Sequence, residues 1–319
     1  MIKNFISDEI IQNIQKFDSI IFDCDGVLVD IRESYDKTIN KTISVIMKDV
    51  FNEDVSNTIT SKILYGLKSS GGFNDEIAVV YAGVMTLAAS KKLNISFENL
   101  INTVIENSNE SGINSINDYF IKLNVDLNEI KNKLDYNNSR KKSYIHRIFN
   151  QLFYGPELYE KIFNEKSLFV EKPLIDMDDI ILDYDLISKL KDRFGNKITT
   201  VTGRGKFAFS YSMKNFLDYF DIQHSIFLED RSLSIAKPNP TSLIESLSGI
   251  NSECSLYVGD SMEDLLMVKK CKDNGYDVSF CGIYGSSDEP ELKYELFRKN
   301  NASFILESIQ ELPKALNLV

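Results

Sequence analysis

Cysteine, histidine, long apolar runs and positive charge are all scarce in this 319-residue chain, and each scarcity removes a class of protein. The four cysteines, Cys24, Cys254, Cys271 and Cys281, have neither CxxC spacing nor the density of a disulfide scaffold. They read as reduced, mostly buried thiols of a cytoplasmic protein. The two histidines, His146 and His224, fall in no motif, which leaves them packing or surface roles rather than catalysis. No stretch reaches the roughly 18 apolar residues of a spanning helix, and the N-terminal MIKNFISDEIIQNIQKF is too polar for a signal peptide. No membrane partner is expected.

The 36 lysines and arginines stand against 47 acidic residues, a net charge of -11 that argues against a nucleic-acid surface, because phosphate backbones require a basic patch. The local exception, Arg140-Lys141-Lys142 with His146 and Arg147 nearby, reads as a solvated face. A small-molecule partner is the expectation, and the oligomeric state stays open.

What is present is an ordinary globular composition, 43% hydrophobic and 26% charged, in a length that suggests about two domains. Residues 8 to 17 carry apolar positions at helical spacing. The compact apolar run Ser19-Ile20-Ile21-Phe22 then ends in an acidic, glycine-containing turn, the pattern of a buried parallel strand. Similar runs occur at 198–202, 225–228, 255–258, 278–283 and 303–306. Most are separated by helical patterns at 185–193, 206–219, 240–248 and 262–270. This alternation predicts an α/β fold, a doubly wound, Rossmann-like parallel sheet. Between about 32 and 175 the texture becomes helical, at 34–49, 74–92, 96–109, 115–122, 143–153 and 156–164. The predicted organisation is therefore a discontinuous core, 1–31 with 176–319, interrupted by a mostly α-helical domain at 32–175.

Four short segments follow predicted strands and bear on chemistry together. In Asp23-Cys24-Asp25-Gly26, alternate residues share a side, so both acids can project into one crevice. Two close carboxylates favour a cation between them or a shared proton. In Thr202-Gly203-Arg204, a hydroxyl, an approachable amide and a guanidinium suit phosphate oxygens, although a Thr-Gly turn capping the next helix fits equally well. In Ala236-Lys237-Pro238-Asn239-Pro240, a lysine is held by restricted backbone and supplies a compact positive charge; a plain loop lysine is the alternative. In Gly259-Asp260-Ser261-Met262-Glu263-Asp264, a helix starting at once would turn Asp260 and Asp264 to the same side. Such carboxylates, completed by water and substrate phosphate, describe a Mg²⁺ site better than zinc or copper.

In this order, the four segments resemble the signature of the haloacid dehalogenase superfamily over residues 17–31 and about 176–285, with the helical insertion placed like a cap after the first motif. The resemblance implies that Asp23 attacks phosphorus to form an aspartyl-phosphate and that Asp25 serves as acid and then base. It implies phosphoryl binding by Thr202 and Gly203, with charge compensation by Lys237. It also implies Mg²⁺ held by Asp23, the Asp25 carbonyl and Asp260, with Asp264 as a ligand or anchor. An acid at position 25 points to phosphate esters rather than dehalogenation. A phosphomonoester hydrolase acting on a small phosphorylated metabolite is expected; a sugar phosphate, phosphoglycolate or a nucleotide monophosphate are the candidates. A phosphoglucomutase-like phosphomutase and a non-catalytic ligand-binding protein of the same fold are the alternatives.

In the insertion, Lys68-Ser69-Ser70-Gly71-Gly72-Phe73-Asn74-Asp75 reads either as a helix connector or as a substrate loop. In the second reading Lys68 and Asn74 contact the substrate and Phe73 excludes water. With Asp30-Ile31-Arg32-Glu33-Ser34-Tyr35, this loop is similar to segments of an archaeal-type subgroup of these hydrolases. Cys24 is expected to point into apolar surroundings. Phe149, Phe153, Tyr154, Tyr159 and Phe163 read as helical core.

Overall fold

The structure is a computed structural model that describes residues 4–73, 75–138 and 142–318. Asn74, Arg140 and Lys141 therefore lie outside the described residues. By internal contacts the chain divides into one unit made of the stretch up to Ile31 and the stretch from Asp178, and a second unit, Arg32–Met177.

The first unit is a sheet with helices. Among the described residues the strands in chain order are β1 (Phe5–Ile6), β2 (Ser19–Phe22), β3 (Val29–Asp30), β4 (Asp179–Ile180), β5 (Ile198–Thr202), β6 (Ile226–Phe227), β7 (Ser255–Gly259), β8 (Val278–Ile283) and β9 (Phe304–Leu306). Seven of them form one sheet in the order β1-β9-β8-β7-β2-β5-β6, parallel except for β1, which pairs antiparallel with β9 at Phe5↔Ile305 and Ile6↔Phe304. Every residue of β2, β5 and β7 is buried, which is why these strands are continuous apolar and hydroxyl runs and do not alternate. Ile20 and Phe22 pack into one core cluster and Ile21 into another, so the side chains of β2 serve both faces of the sheet.

The helices obey local rules. In Tyr184–Phe194, Asp183 accepts a hydrogen bond from the Leu186 amide at the start, and Leu186, Ile187, Leu190 and Phe194 form the buried stripe. The pattern at 206–219 is not one helix: the α-helix ends at Ser212, and a 3₁₀ turn at Leu217–Tyr219 follows. β3 and β4 pair antiparallel at Val29↔Ile180 and Asp30↔Asp179, joining the chain just before the insertion to the chain just after it.

The second unit is helical. Its central helix, Glu76–Leu93, is buried on all sides from Ile77 to Ser90, which makes it a core element rather than an amphipathic one. Arg32–Phe51 packs Ile39, Ile43, Ile46 and Met47 inward. Helices at Ser61–Ser69 and Asn128–Leu134, not anticipated from periodicity, complete the set with Phe97–Asn107 and Ile113–Lys122. The two helices expected at 143–153 and 156–164 both lie within Tyr144–Phe163 and are separated by non-helical backbone at Gly155. Gly155 adopts φ 64° ahead of Pro156, and the proline supplies no amide to continue the ladder. Tyr35 stacks on Phe153 at 4.8 Å, and Phe149, Phe153, Tyr154 and Tyr159 are buried, as expected for core. No helix among the described residues is long and apolar enough to cross a membrane.

Candidate active site

Parallel strands deliver their C-terminal ends to one edge, and the four segments leave β2, β5 and β7 or follow β6 at that edge. Asp23 is the first residue after β2, with its amide donating to Val258 O of β7 at 2.8 Å. The chain then folds around one carbonyl: the amides of Val27, Leu28 and Val29 all donate to Cys24 O. Gly26 makes this turn possible, with φ +73° and Asp260 so close that a Cβ at position 26 would lie 2.3 Å from Asp260 Oδ2. Cys24 is buried in the apolar core, and burial raises its thiol well above its usual pKa, so it is inert as a nucleophile.

Asp23, Asp260 and Asp264 each place a carboxylate oxygen within 4.8 Å of the others. Lys237 lies against two of them, 3.0 Å from Asp23 Oδ1 and 2.8 Å from Asp264 Oδ1. The two acids respond differently. Burial pushes Asp264 up, but Lys237, Ser261 and the Tyr257 hydroxyl outweigh it and hold the carboxyl below its usual range. Burial pushes Asp23 well up, and although Lys237 opposes this, Asp264, Asp260 and Asp25 add to the rise. Burial acts downward on Lys237, but Asp23 and Asp264 more than reverse it, so the ammonium stays charged. One lysine between two carboxylates, with a third acid within 4.8 Å, leaves the cluster with a surplus of negative charge. A divalent cation among hard oxygen donors supplies what is missing, so these residues fit a metal of the Mg²⁺ type.

Asp260 and Asp264 converge by a route other than helical spacing. The helix begins at Met262, with Ser261 as its N-cap. Ser261 Oγ accepts from the Asp264 amide, and Asp264 Oδ2 accepts from the Ser261 amide at 3.1 Å, a reciprocal capping box. Asp264 Oδ1 also accepts from Tyr257 at 2.8 Å. Fully buried and engaged on both oxygens, Asp264 has the form of an anchor for Lys237.

Arg204 departs from the expected phosphate contact. Its side chain is 1% exposed and turned onto two carboxylates, with Nε 2.6 Å from Asp25 Oδ1 and Nη1 2.7 Å from Asp178 Oδ2. It also donates to Ser212 Oγ at 2.8 Å. The guanidinium orients Asp25. Thr202 is buried at the end of β5, its Oγ1 accepting from the Arg204 amide at 3.2 Å, while a Cβ at Gly203 would meet open space. Asp178 and Tyr257 escaped the sequence reading: Asp178 lies in an acidic stretch with no motif, and Tyr257 is one more residue of an apolar strand.

In the helical unit, Lys68 is paired with Glu76 at 2.9 Å and Asp75 caps the helix that follows by accepting from the Ile77 amide. Phe73 is fully buried. His146 is buried beside Ser143 Oγ at 2.8 Å, and His224 lies 2.8 Å from Asp221. Both histidines have packing and surface roles.

Comparison with known proteins bears on the family and the fold. The sequence model of the haloacid dehalogenase-like hydrolase family matches residues 17–272. No curated protein matches the chain. Among solved structures, phosphatase Tt82 from Thermococcus thioreducens is similar with TM-score 0.59 at 23% identity, over 88% of this chain and 98% of that one. A putative haloacid dehalogenase-like hydrolase from Bacteroides fragilis is similar with TM-score 0.51 at 14% identity, over 93% and 100%. A predicted phosphoglycolate phosphatase from Haemophilus somnus gives 0.50 at 15%, over 94% and 98%. At these identities the likeness concerns the fold.

Proposed function

Because the chain belongs to the haloacid dehalogenase-like hydrolases, we propose that it is a Mg²⁺-dependent phosphatase that cleaves a small phosphomonoester through a phosphorylated Asp23. The observation that carries this reading is the cluster of Asp23, Asp260 and Asp264 following β2 and β7, with Lys237 between Asp23 and Asp264. Asp25 follows two residues after the first acid and is fixed by Arg204.

In this reading Asp23 Oδ attacks phosphorus while the ester P–O bond breaks, and Asp25 delivers a proton to the departing alcohol oxygen. Asp25 then takes a proton from the water that attacks the aspartyl-phosphate, and inorganic phosphate leaves with Asp23 restored. Thr202 and the Gly203 amide hold phosphoryl oxygens, and Lys237 offsets charge on both the nucleophile and the phosphate. Asp23, the Asp25 carbonyl and Asp260 would hold Mg²⁺, which supplies positive charge that keeps Asp23 ionised and balances the phosphoryl oxygens. Arg204 acts on Asp25 rather than on substrate: a carboxylate with one oxygen fixed keeps the other aimed.

Substrate choice falls to the inserted unit, where Lys68 is the proposed anion contact; Asn74, proposed beside it, lies outside the described residues. The reading is tested by phosphate release from p-nitrophenyl phosphate and a panel of phosphorylated metabolites, with and without Mg²⁺. Metal-dependent release that disappears in Asp23→Asn supports it. No release from any phosphomonoester, or an isomerised sugar phosphate without free phosphate, overturns it.

A further inference from the structure

The four segments end at Asp264 and the family match ends at residue 272, yet later chain reaches the same turn. After β8, the Ser286 hydroxyl donates to Gly26 O at 2.5 Å. One helix further on, Lys293 Nζ lies 2.6 Å from Asp260 Oδ2, with its side chain only 14% exposed. This lysine is not a loose surface cation. Its helix, Pro290–Lys299, is pinned by Phe297, fully buried with its ring 5.5 Å from that of Phe280, and by Tyr294, 5.4 Å from Tyr284.

The oxygen that Lys293 holds is the one that a Cβ at position 26 would approach most closely. Asp260 Oδ2 is thus bounded by the Gly26 backbone and by the lysine. Asp23 and Asp264 share Lys237, whereas Asp260 draws its positive partner from a different element. A carboxylate among two others within 4.8 Å is pushed away by like charge unless something opposes the repulsion.

We propose that Lys293 is a positioning residue for the cation site: by holding Asp260 Oδ2 it keeps that carboxylate aimed at the acid cluster. The inference rests on the phosphatase reading and adds a residue from beyond the family's matched span. Groups that orient a ligand from behind typically alter metal affinity by about 10- to 100-fold when removed. The opposite consequence is also physically available, since a nearby ammonium repels a cation, so the direction of the change decides between them.

The test is calorimetric titration of Mg²⁺ into metal-stripped wild type, Lys293→Met and Lys293→Arg, with circular dichroism to establish that each is folded. Lys293→Met should bind Mg²⁺ at least about tenfold more weakly. Lys293→Arg should recover most of the loss, and phosphate release by Lys293→Met should return toward the wild-type rate at high Mg²⁺. Should Lys293→Met fail to fold, Lys293→Gln carries the same expectation with a polar tip. Unchanged or tighter binding in the folded variant overturns the proposal, tighter binding meaning that the lysine only competes with the cation. Wild type that binds no divalent cation sinks both the proposal and the phosphatase reading, whereas equal binding by wild type and Lys293→Met sinks the proposal alone.

Discussion

The two units of the chain solve burial with opposite chemistry. The sheet unit buries Asp23, Arg204 and Asp264 outright and nearly buries Lys237 and Asp178, all at one end of its strands. In the helical unit the buried polar side chains among the described residues are serines, threonines, His146, Asn150 and Gln151, with no carboxylate and no lysine or arginine. Buried charge is costly unless paired, so a fold that keeps a cluster of it at one edge is organised around what that cluster does. Among its described residues the helical unit buries no charged side chain, and a pair such as Lys37 with Glu33 lies in solvent. Buried charge is concentrated in one unit, and the other is built for packing.

The comparison is broken or sharpened most strongly at Asp23. Asp23→Asn should lower phosphate release at least about 10⁴-fold, as loss of a nucleophile does, and should leave folding intact. Steady-state kinetics and a melting curve check both halves, and a residual rate near wild type would remove the sheet unit's claim to the chemistry.

Next comes Arg204. Arg204→Met removes the guanidinium beside Asp178, 3% exposed, and should cost about 3–5 kcal/mol by urea denaturation. It should also impair turnover, since Asp25 loses the group that orients it. The matching change in the helical unit is Leu100→Ala, at a buried position of Phe97–Asn107. It should cost about 2–5 kcal/mol and leave turnover of p-nitrophenyl phosphate unchanged. If Leu100→Ala abolished turnover while the protein remained folded, the division of labour between the units would be wrong.

A smaller effect separates structural acids from the site. Burial raises Asp18, but hydrogen bonds from Lys197, the Glu253 amide, Ser252 and the Cys254 amide outweigh it and hold its carboxyl below its ordinary value of 3.8. A depressed folded-state pKa stabilises above the unfolded value and loses that contribution as the pH falls. Asp18→Asn should therefore be less stable than wild type by about 1 kcal/mol at pH 7, a figure reduced for the carboxylate's partial exposure, with the gap closing below about pH 4. Denaturation at several pH values measures it. Smallest of all, Lys68→Ala should raise KM for an anionic substrate about threefold with kcat unchanged, the scale of a single partly exposed charge contact. No change in KM would remove Lys68 from the substrate contacts and leave its pairing with Glu76.

Much of this arrangement was legible in the sequence because fully buried parallel strands write themselves as continuous apolar runs. β2, β5, β7 and β8 each fall where such a run stands. β1, β3 and β4 did not show, since each is two residues long and not buried at both, whereas the two residues of β6 are both buried in an apolar run. Asp23, Asp25, Lys237 and Asp260 were singled out by their place after strands together with the resemblance of the four segments to a known family. The role of Arg204 was not legible, and that of Asp264 stayed open between ligand and anchor: a residue's type announces which partners it can take, not which are nearest. Arg204 has the chemistry for phosphate but meets Asp25 and Asp178 first. Ser261-Met262-Glu263-Asp264 carries the spacing of a capping box, a local signal that explains Asp264 better than helical periodicity does. Lys293 sits among the charges of PELKYELFRK, where nothing local distinguishes it from Lys299.

The central claim is that Asp23 becomes covalently phosphorylated. The direct measurement is mass spectrometry of protein acid-quenched during turnover of a good phosphomonoester with Mg²⁺, mapped to the peptide that contains residues 23–25. The account predicts a phosphoryl group on Asp23 that is absent from Asp23→Asn. Turnover with the phosphoryl group on another residue, or full turnover by Asp23→Asn, would contradict it.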